Sequence, residues 1–177
     1  MYGTDKERYA MYKIGDKVIY KHSGVYLVDG VETPSFVKDK GALYYKLSHI
    51  YSNAKETVYV PVESEDAIRP VADKSDFDKA LKSVNEKTVV PFCARQPQLV
   101  TEHYKNDLAV NTLESSLTVL KALYIREKEC EGSGKKLRQA EGHYLALTEK
   151  AVCEEMCECL KTPPEEAREK IRSLIEC

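Results

Sequence analysis

The stretch Lys17-Val18-Ile19-Tyr20-Lys21, followed by His22-Ser23-Gly24 and then by residues 25–33, decides the fold of the first part of the chain. Two runs rich in β-branched and aromatic residues, joined by a short polar segment that ends in glycine, are typical of a strand, a turn and a second strand. Gly30 within the second run predicts a kink, because an internal glycine weakens regular strand pairing. The stretch therefore predicts antiparallel β-structure.

Two further strands are predicted downstream, from Leu43 to Tyr51 and from Thr57 to Val60, the second closed by Pro61. Nine of the twelve tyrosines precede residue 60, and β-branched residues are concentrated in the same part of the chain. Short strands linked by polar loops are typical of small barrels. We therefore expect a Tudor-like or SH3-like β-barrel over residues 11–72, after a polar leader at residues 1–10.

From Asp73 onward the sequence is rich in Leu, Ala, Glu and Lys, and apolar residues recur at helical spacing. Ser75 and Asn111 are the predicted N-terminal caps of the first helix and of a long helix. The predicted helices start near Ser75, run from Leu99 to Ala109, from Leu113 to Glu131 and from Arg138 to Leu160, and resume after Thr162-Pro163-Pro164. The expected fold class is α+β, with the barrel followed by an all-α bundle over residues 73–177.

The charge balance and the short apolar runs exclude several classes of protein. Twenty-seven Lys plus Arg against 29 Asp plus Glu give a net charge of −2, so the whole-chain charge does not demand nucleic acid or an anionic membrane as partner. Apolar runs such as residues 25–28 are far shorter than the roughly 20 residues of a membrane span or the roughly 7 to 15 of a signal-peptide core. We expect a cytoplasmic protein without a membrane partner.

Residue patterns for catalysis or for metal binding are weak. His22 and His49 have no cysteine near them and belong to no Ser-His-carboxylate pattern. Cys153, Cys157 and Cys159 form C-x3-C-x-C, and a helix would turn the third thiol about 200° away from the second. We therefore expect no enzyme activity, no cofactor and no metal, and we expect the cysteines to be free thiols.

Six short stretches, taken in order along the chain, resemble the CarD/CdnL family of bacterial proteins that bind RNA polymerase. They are Tyr12-Lys13-Ile14-Gly15-Asp16-Lys17-Val18-Ile19-Tyr20, Gly24-Val25, Val31-Glu32-Thr33, Tyr44-Tyr45-Lys46-Leu47, Val58-Tyr59-Val60-Pro61-Val62 and Ile68-Arg69-Pro70-Val71. The same part is similar to the polymerase-interacting domain of transcription-repair coupling factor. Tyr104-Lys105-x-x-Leu108 and Leu137-x-x-x-Glu141-x-x-x-Leu145 extend the resemblance into the helical part, as far as residue 160.

The resemblance implies a two-part transcription regulator. Its barrel would add a strand to the β-subunit lobe of RNA polymerase, and its helical domain would touch promoter DNA, weakly and without sequence specificity, and modulate the stability of the open complex. It also implies a monomer in solution. Leu47, Tyr59 and Pro61 stand where relatives contact the polymerase. Two alternatives stay open, because Leu47 could belong to the barrel core and Tyr59 could be an ordinary strand aromatic.

The positions that would contact DNA depart from the family. Relatives carry a Trp and a basic pair before the Tyr-Lys motif, whereas this chain has no Trp, places Val100 at that position and has Glu102-His103 for the basic pair. Gly142-His143 replaces a further Lys-Arg pair. An aliphatic wedge can still enter a minor groove, but Glu102 would repel phosphate. The candidate DNA-binding residues are Val100, Lys105, Lys135, Lys136, Arg138 and His143.

Local charge leaves one basic patch in the helical part. Residues 73–177 contain 17 Lys plus Arg against 19 Asp plus Glu, whereas residues 11–72 balance at eight against eight. The patch consists of Lys121, Arg126, Lys128, Lys135, Lys136 and Arg138, with Glu127, Glu129 and Glu131 among them. It is either a DNA contact or a solvated helix end whose cations favour the helix C-terminus. The second hypothesis for the chain is accordingly a polymerase-associated or other protein-interaction module without direct DNA binding.

Overall fold

The computed structural model describes residues 11–39, 41–54 and 56–175, and these have the predicted α+β architecture. In this described part, five strands come first and five α-helices follow. The strands are β1 (Lys17–Tyr20), β2 (Val25–Glu32), β3 (Tyr44–His49), β4 (Thr57–Pro61) and β5 (Ile68–Pro70). The predicted leader at residues 1–10 lies outside the described residues.

The strands form one antiparallel sheet in the order β4-β3-β2-β1-β5. β4 and β5 lie at opposite edges, and no ladder joins them in the described ranges. The sheet is therefore open, and the predicted Tudor-like or SH3-like barrel is not confirmed. The sequence predicts only four strands, because the three residues of β5, which end in Pro70, carry no alternating pattern.

The predicted kink at Gly30 is confirmed. The register between β2 and β3 is regular as far as Val28 and shifts between Val28 and Gly30, which leaves one residue of β2 unpaired. The sheet buries one apolar cluster along its length. Its buried members are Val18, Tyr26, Val28, Tyr45, Leu47, Val60 and Ile68.

The helices lie close to their predicted positions. They are α1 (Lys74–Glu86), α2 (Pro97–Ala109), α3 (Leu113–Gly132), α4 (Gln139–Leu160) and α5 (Pro164–Leu174). Both predicted caps are wrong by one or two positions. The side chain of Asp73, not that of Ser75, accepts from the backbone N–H of Asp76 at 2.8 Å, and that of Thr112, not that of Asn111, accepts from the N–H of Ser115 at 3.1 Å.

The helices bury a second apolar cluster. α3 and α4 contact each other and both contact α1 and α2, whereas α5 packs against α4. Phe77, Val84, Tyr104, Leu117, Leu120, Leu123, Met156 and Ile171 have no exposed surface in it. Fully burying a side chain of this size contributes about 1.5–3 kcal/mol, so this cluster supplies much of the stability of the helical part.

The two parts meet through α4. β5 ends at Pro70 and α1 begins at Lys74, so residues 71–73 connect the sheet to the helices. Glu154, Glu155 and Glu158 of α4 accept hydrogen bonds from the sheet part. The position of the helices relative to the sheet is therefore tied to the C-terminal half of one helix.

Candidate functional site

Strand β4 forms an open edge of the sheet. The carbonyl of Glu56 accepts from the N–H of His49 at 3.3 Å, and the N–H of Val62 donates to the carbonyl of Leu43 at 2.9 Å. In an antiparallel pair the main-chain groups of alternate residues face the same neighbour, so those of Thr57, Tyr59 and Pro61 face away from β3. Pro61 lacks an N–H and occupies an outward position, where no ladder bond is lost. The edge thus offers the N–H groups and the carbonyls of Thr57 and Tyr59, whereas the carbonyl of Pro61 accepts from the N–H of Ser64 at 2.9 Å.

An aromatic pair, exposed at Phe36 and partly exposed at Tyr59, lies beside this edge. The ring of Phe36, which is 70% exposed, meets the ring of Tyr59 edge-on with centroids 5.5 Å apart. The hydroxyl of Tyr59 donates to Oε1 of Glu32 at 3.0 Å, and this hydrogen bond raises the pKa of Tyr59. Lys46 Nζ lies 3.6 Å from the same carboxylate oxygen. The pair presents apolar surface next to unpaired main-chain groups.

A groove of about 430 Å³ continues from the C-terminal end of β4. It is lined by Asp39, Gly41, Ala42, Leu43, Tyr44, Pro61, Val62 and Glu63. Pro61 is exposed and borders both the groove and the outer edge of β4. A segment that pairs with β4 could therefore extend its side chains into this groove.

Of the three predicted polymerase contacts, Tyr59 and Pro61 are accessible and Leu47 is not. Leu47 has no exposed surface and belongs to the apolar cluster of the sheet. Its burial agrees with the second of the two alternatives given for Leu47, a position in the core of the sheet. Phe36 was missed by sequence reasoning, although a bulky aromatic residue inside a polar loop between two strands is a signal that could have drawn attention to it.

In the helical part, the predicted apolar wedge is buried. Val100 is only 1% exposed, whereas the neighbouring Leu99 is 44% exposed. Consecutive residues of a helix point about 100° apart, so α2 turns one of the two toward its core and the other toward solvent. Leu99 is the apolar side chain that this surface presents.

The predicted basic contacts Lys105, Lys135, Lys136, Arg138 and His143 are all exposed. Two of them lie at the N-terminal end of α4. The guanidinium of Arg138 donates to the carbonyl of Ala94, and the ring of His143 contacts that of Tyr144, with centroids 5.3 Å apart.

This end of α4 packs against α2 and the segment before it. The ring centroid of Tyr144 lies 5.8 Å from that of Tyr104 on α2. Arg95, an exposed cation beside Ala94, was missed by sequence reasoning because it stands alone between α1 and α2. The arrangement brings cations from two separate stretches of sequence toward one end of the helical part.

Two residues counted in the basic patch do not contribute free charge. Lys121 is buried, and its ammonium group donates to main-chain carbonyls at the end of α1. Arg126 donates to the fully buried Glu141 and to Glu129, at 3.1 Å each, and these hydrogen bonds raise the pKa of Arg126. The exposed part of the patch is therefore smaller than the sequence count indicates.

The cysteines of α3 and α4 offer little reactive chemistry, whereas Cys93 is an exposed free thiol. Cys130 and Cys157 are buried, and burial raises the pKa of Cys153 and of Cys159 to about 12, which keeps both thiols protonated. Within the described ranges, no group of three or more His, Cys, Asp or Glu side chains is placed to hold a metal ion. Cys177 lies outside those ranges.

An unpaired strand edge with adjoining apolar surface is typical of domains that bind a partner by strand addition. Residues 12–72 match the family model of the CarD-like/TRCF RID domain. The match confirms the resemblance of the strand-forming part to the CarD-like family and to transcription-repair coupling factor. It covers all five strands and ends before α1, so the helical part lies outside it.

This domain indicates a transcription-related function that involves RNA polymerase. No curated protein matches the chain. None of the helices in the described part has the length and apolarity needed to cross a bilayer.

Proposed function

We propose that this protein regulates transcription by binding the β-subunit lobe of RNA polymerase through the open edge of β4. The observation that carries the proposal is the free edge itself, which lies within the part of the chain that matches the CarD-like/TRCF RID domain. A strand of the polymerase would pair with the outward main-chain groups of Thr57 and Tyr59. Main-chain hydrogen bonds supply affinity in this mode, and the side chains beside them supply specificity.

The helical part would then act on promoter DNA and modulate the stability of the open complex. Linking two contacts raises the effective concentration of the second to about millimolar, so a weak DNA contact suffices. Stabilising the open state tenfold requires only about 1.4 kcal/mol of contacts made in that state alone. Lys135, Lys136 and Arg138, together with Arg95 and the exposed Leu99, are the residues best placed for this role.

Capture of purified RNA polymerase tests the first contact. We expect the parent protein to bind and Tyr59→Glu to bind more weakly, because its carboxylate would be desolvated beside Glu32. Pro61→Ala restores an outward N–H, and we expect it to bind at least as well as the parent. Lys21→Gln is the matched control, since it lowers the charge by the same one unit next to β5, at the opposite edge. If the parent fails to bind, or if Tyr59→Glu binds equally well, the β4 interface is wrong.

The alternative is a polymerase-associated or other protein-interaction module without direct DNA binding. It is favoured by the net charge of −2 over residues 73–177. It is also favoured because Lys121 and Arg126 each donate hydrogen bonds to groups of the protein itself. Binding to a forked promoter fragment at several salt concentrations separates the two hypotheses, because phosphate contacts make affinity fall steeply with salt.

The double variant Lys135→Glu, Lys136→Glu identifies the DNA surface. If this surface touches DNA, the variant will bind the forked fragment more weakly and its affinity will depend less on salt. Lys79→Glu, Lys82→Glu on α1 is a control with the same change of charge. If promoter opening is unchanged in the Lys135 and Lys136 variant, the exposed basic end of α4 is not the DNA contact.

A further inference from the structure

Three glutamates on α4 face the sheet part of the molecule. Glu154 and Glu158 are one helical turn apart, and Glu155 lies beside Glu154. Glu154 and Glu155 are buried, at 5% and 1% exposure, although glutamate is rarely buried in proteins without a partner. Each of the three carboxylates has its own set of partners on the sheet part.

The carboxylate of Glu154 lies in the turn between β1 and β2. Its Oε2 accepts from the N–H of Val25 at 3.0 Å and contacts Nε2 of His49 at 2.8 Å. The backbone of Gly24 has φ of 119°, and a Cβ at this residue would lie 1.9 Å from Oε2 of Glu154. Only glycine at this position therefore leaves room for the carboxylate of Glu154 beside the turn.

Glu155 is held by a bidentate pair. The two terminal nitrogens of Arg69, on β5, donate to its two oxygens at 2.6 and 2.7 Å. The N–H of Ala72 donates to Oε1 at 3.1 Å. This geometry fixes the position and the orientation of both groups, because the guanidinium plane matches the carboxylate plane.

Glu158 completes the row. Its Oε2 accepts from Lys17 Nζ at 2.6 Å, and its Oε1 accepts from the hydroxyl of Tyr51 at 2.8 Å. Burial opposes ionisation of this carboxyl, but the hydrogen bonds from Lys17 and Tyr51 outweigh burial and lower the pKa of Glu158. The carboxylate therefore remains charged at neutral pH and paired with both partners.

Few other polar contacts join the two parts. The apolar clusters of the sheet and of the helices are separate, and Tyr51 and Ala72 are the sheet-part residues that pack against the helical cluster. Among the described residues, one hydrogen bond between the parts does not involve these three carboxylates. In it, Nδ2 of Asn111 donates to the carbonyl of Asp66 at 3.0 Å. The polar contacts of the joint are thus concentrated on α4.

We propose that Glu154, Glu155 and Glu158 form a latch that holds the sheet and the helical bundle together as one rigid body. Closed, the latch fixes the direction of the β4 edge relative to the N-terminal end of α4. Opened, it leaves each part with its own apolar cluster and allows the sheet to reorient about residues 71–73. This inference concerns the free protein, so its test requires neither polymerase nor DNA.

Backbone ¹⁵N relaxation measures whether the two parts tumble together. In the parent protein, amides of β2 and of α3 will give one common rotational correlation time. In Glu154→Gln, Glu155→Gln, Glu158→Gln the correlation time of the β2 amides will fall below that of the α3 amides, while the chemical shifts within each part keep their folded dispersion. Glu165→Gln, Glu166→Gln, Glu169→Gln on α5 removes the same charge away from the sheet and will keep one common time.

Two correlation times in the parent, or one unchanged common time in the latch variant, would overturn the proposal. If the latch variant does not fold, amide hydrogen exchange in the parent decides the question. The N–H groups of Val25 and Ala72 donate to latch carboxylates, so a closed latch slows their exchange toward that of Val28, whose N–H donates to the carbonyl of Asp16. Exchange as fast as that of exposed loop amides would show that the latch is open in solution.

Discussion

A buried lysine completes the C-terminal end of α1. Lys121 Nζ donates to the carbonyls of Val84, Asn85 and Lys87 at 3.0, 3.2 and 3.1 Å. The last carbonyls of a helix lack partners within it and carry the negative end of the helix dipole, so a cation is well matched to them. Lys121 therefore stabilises the junction of α1 with α3.

Lys121→Met should lower the free energy of unfolding by about 2–4 kcal/mol, because it removes charged hydrogen bonds and leaves buried carbonyls unsatisfied. Urea denaturation measures the loss. Lys82→Met, at an exposed position of α1, should change stability by less than about 0.5 kcal/mol. Equal effects of the two substitutions would contradict the capping role.

Glu158 should make stability depend on pH in a defined direction. Its pKa is lowered in the folded protein, so it contributes stability above the ordinary pKa of 4.5, and this contribution is lost as the pH falls through the lowered pKa. The charged groups around it are Lys17 and Lys161, with the hydroxyl of Tyr51 also in contact.

We expect Glu158→Gln to be less stable than the parent at about pH 7, and the difference to shrink toward about pH 3. Urea denaturation of both proteins across this range provides the comparison. Subtracting the two curves removes the titration of the other carboxylates. A difference that stays constant with pH would show that the charge of Glu158 does not stabilise the fold.

At the scale of single residues, the sequence predicts that apolar side chains are buried. It predicts less well which of two adjacent apolar side chains is buried. Leu99 and Val100 are both aliphatic and adjacent, and the packing of α2 on α3 and α4 covers Val100. Lys121 counts as a surface cation in the sequence, but the end of α1 lies over it. Both outcomes depend on contacts between distant segments, which local patterns do not encode.

The open edge of β4 gives a prediction at the scale of one element. The N–H of Val58 faces β3, whereas that of Tyr59 faces outward. Val58→Pro should therefore lower the free energy of unfolding by about 2 kcal/mol or more, because a ladder bond is lost and its acceptor is left unsatisfied. Tyr59→Pro should cost less, and it should weaken capture of RNA polymerase.

Thermal unfolding followed by circular dichroism ranks the two proline variants. The edge interpretation requires Tyr59→Pro to be the more stable variant and to lose binding while it stays folded. If Tyr59→Pro were as unstable as Val58→Pro, the N–H of Tyr59 would be taking part in the fold of the free protein. If it stayed folded and bound polymerase fully, that N–H would have no part in recognition.

Most strands and helices were predictable because their periodicity is local. The alternation in β1 to β4 and the helical spacing in α1 to α5 are each set by a few consecutive residues. Closure of the sheet is a different matter, because it depends on whether β4 and β5, separated in space by three strands, pair with each other. For the same reason the short strand β5 escaped prediction, since its pairing with β1 defines it.

At the scale of the whole molecule, Gly24 should be more sensitive to substitution than Gly15. Both residues have positive φ, 119° and 94°, but a Cβ at Gly15 meets no atom within 4 Å. Gly15→Ala should therefore cost only backbone strain, about 1–2 kcal/mol. Gly24→Ala should cost clearly more, because the new methyl group collides with the carboxylate of Glu154.

A double-mutant cycle separates the collision from the strain. Glu154→Ala removes the carboxylate and leaves Nε2 of His49, 2.9 Å from the new methyl group, as the remaining close atom, so Gly24→Ala should be less damaging in the Glu154→Ala background than in the parent. Chemical denaturation of the four proteins supplies the coupling energy. Additive effects would indicate that Gly24 and Glu154 do not interact in the folded state.

The joint between the two parts was not predicted, although the sequence held a signal for it. Glu154 and Glu155 lie between Val152 and Met156, on a stretch of α4 whose apolar residues are buried. Carboxylates in such a position require partners, and the sequence alone did not identify them, because Arg69 and His49 are distant along the chain. The partners became evident only from the packing of α4 against the sheet.

The prolines at the two rims of the sheet bear on how copies of this protein behave when crowded. Pro61 faces outward on β4. Just before β5, the carbonyl of Ala67 accepts from the N–H of Lys21, so Ala67 faces β1. Since main-chain groups alternate along a strand, Pro70 faces outward. Neither rim can donate a hydrogen bond at its proline. Edge-to-edge pairing between the sheets of two copies is therefore interrupted after a few residues. The prolines thus limit how far an added strand can pair along either rim, while Thr57 and Tyr59 remain available on β4.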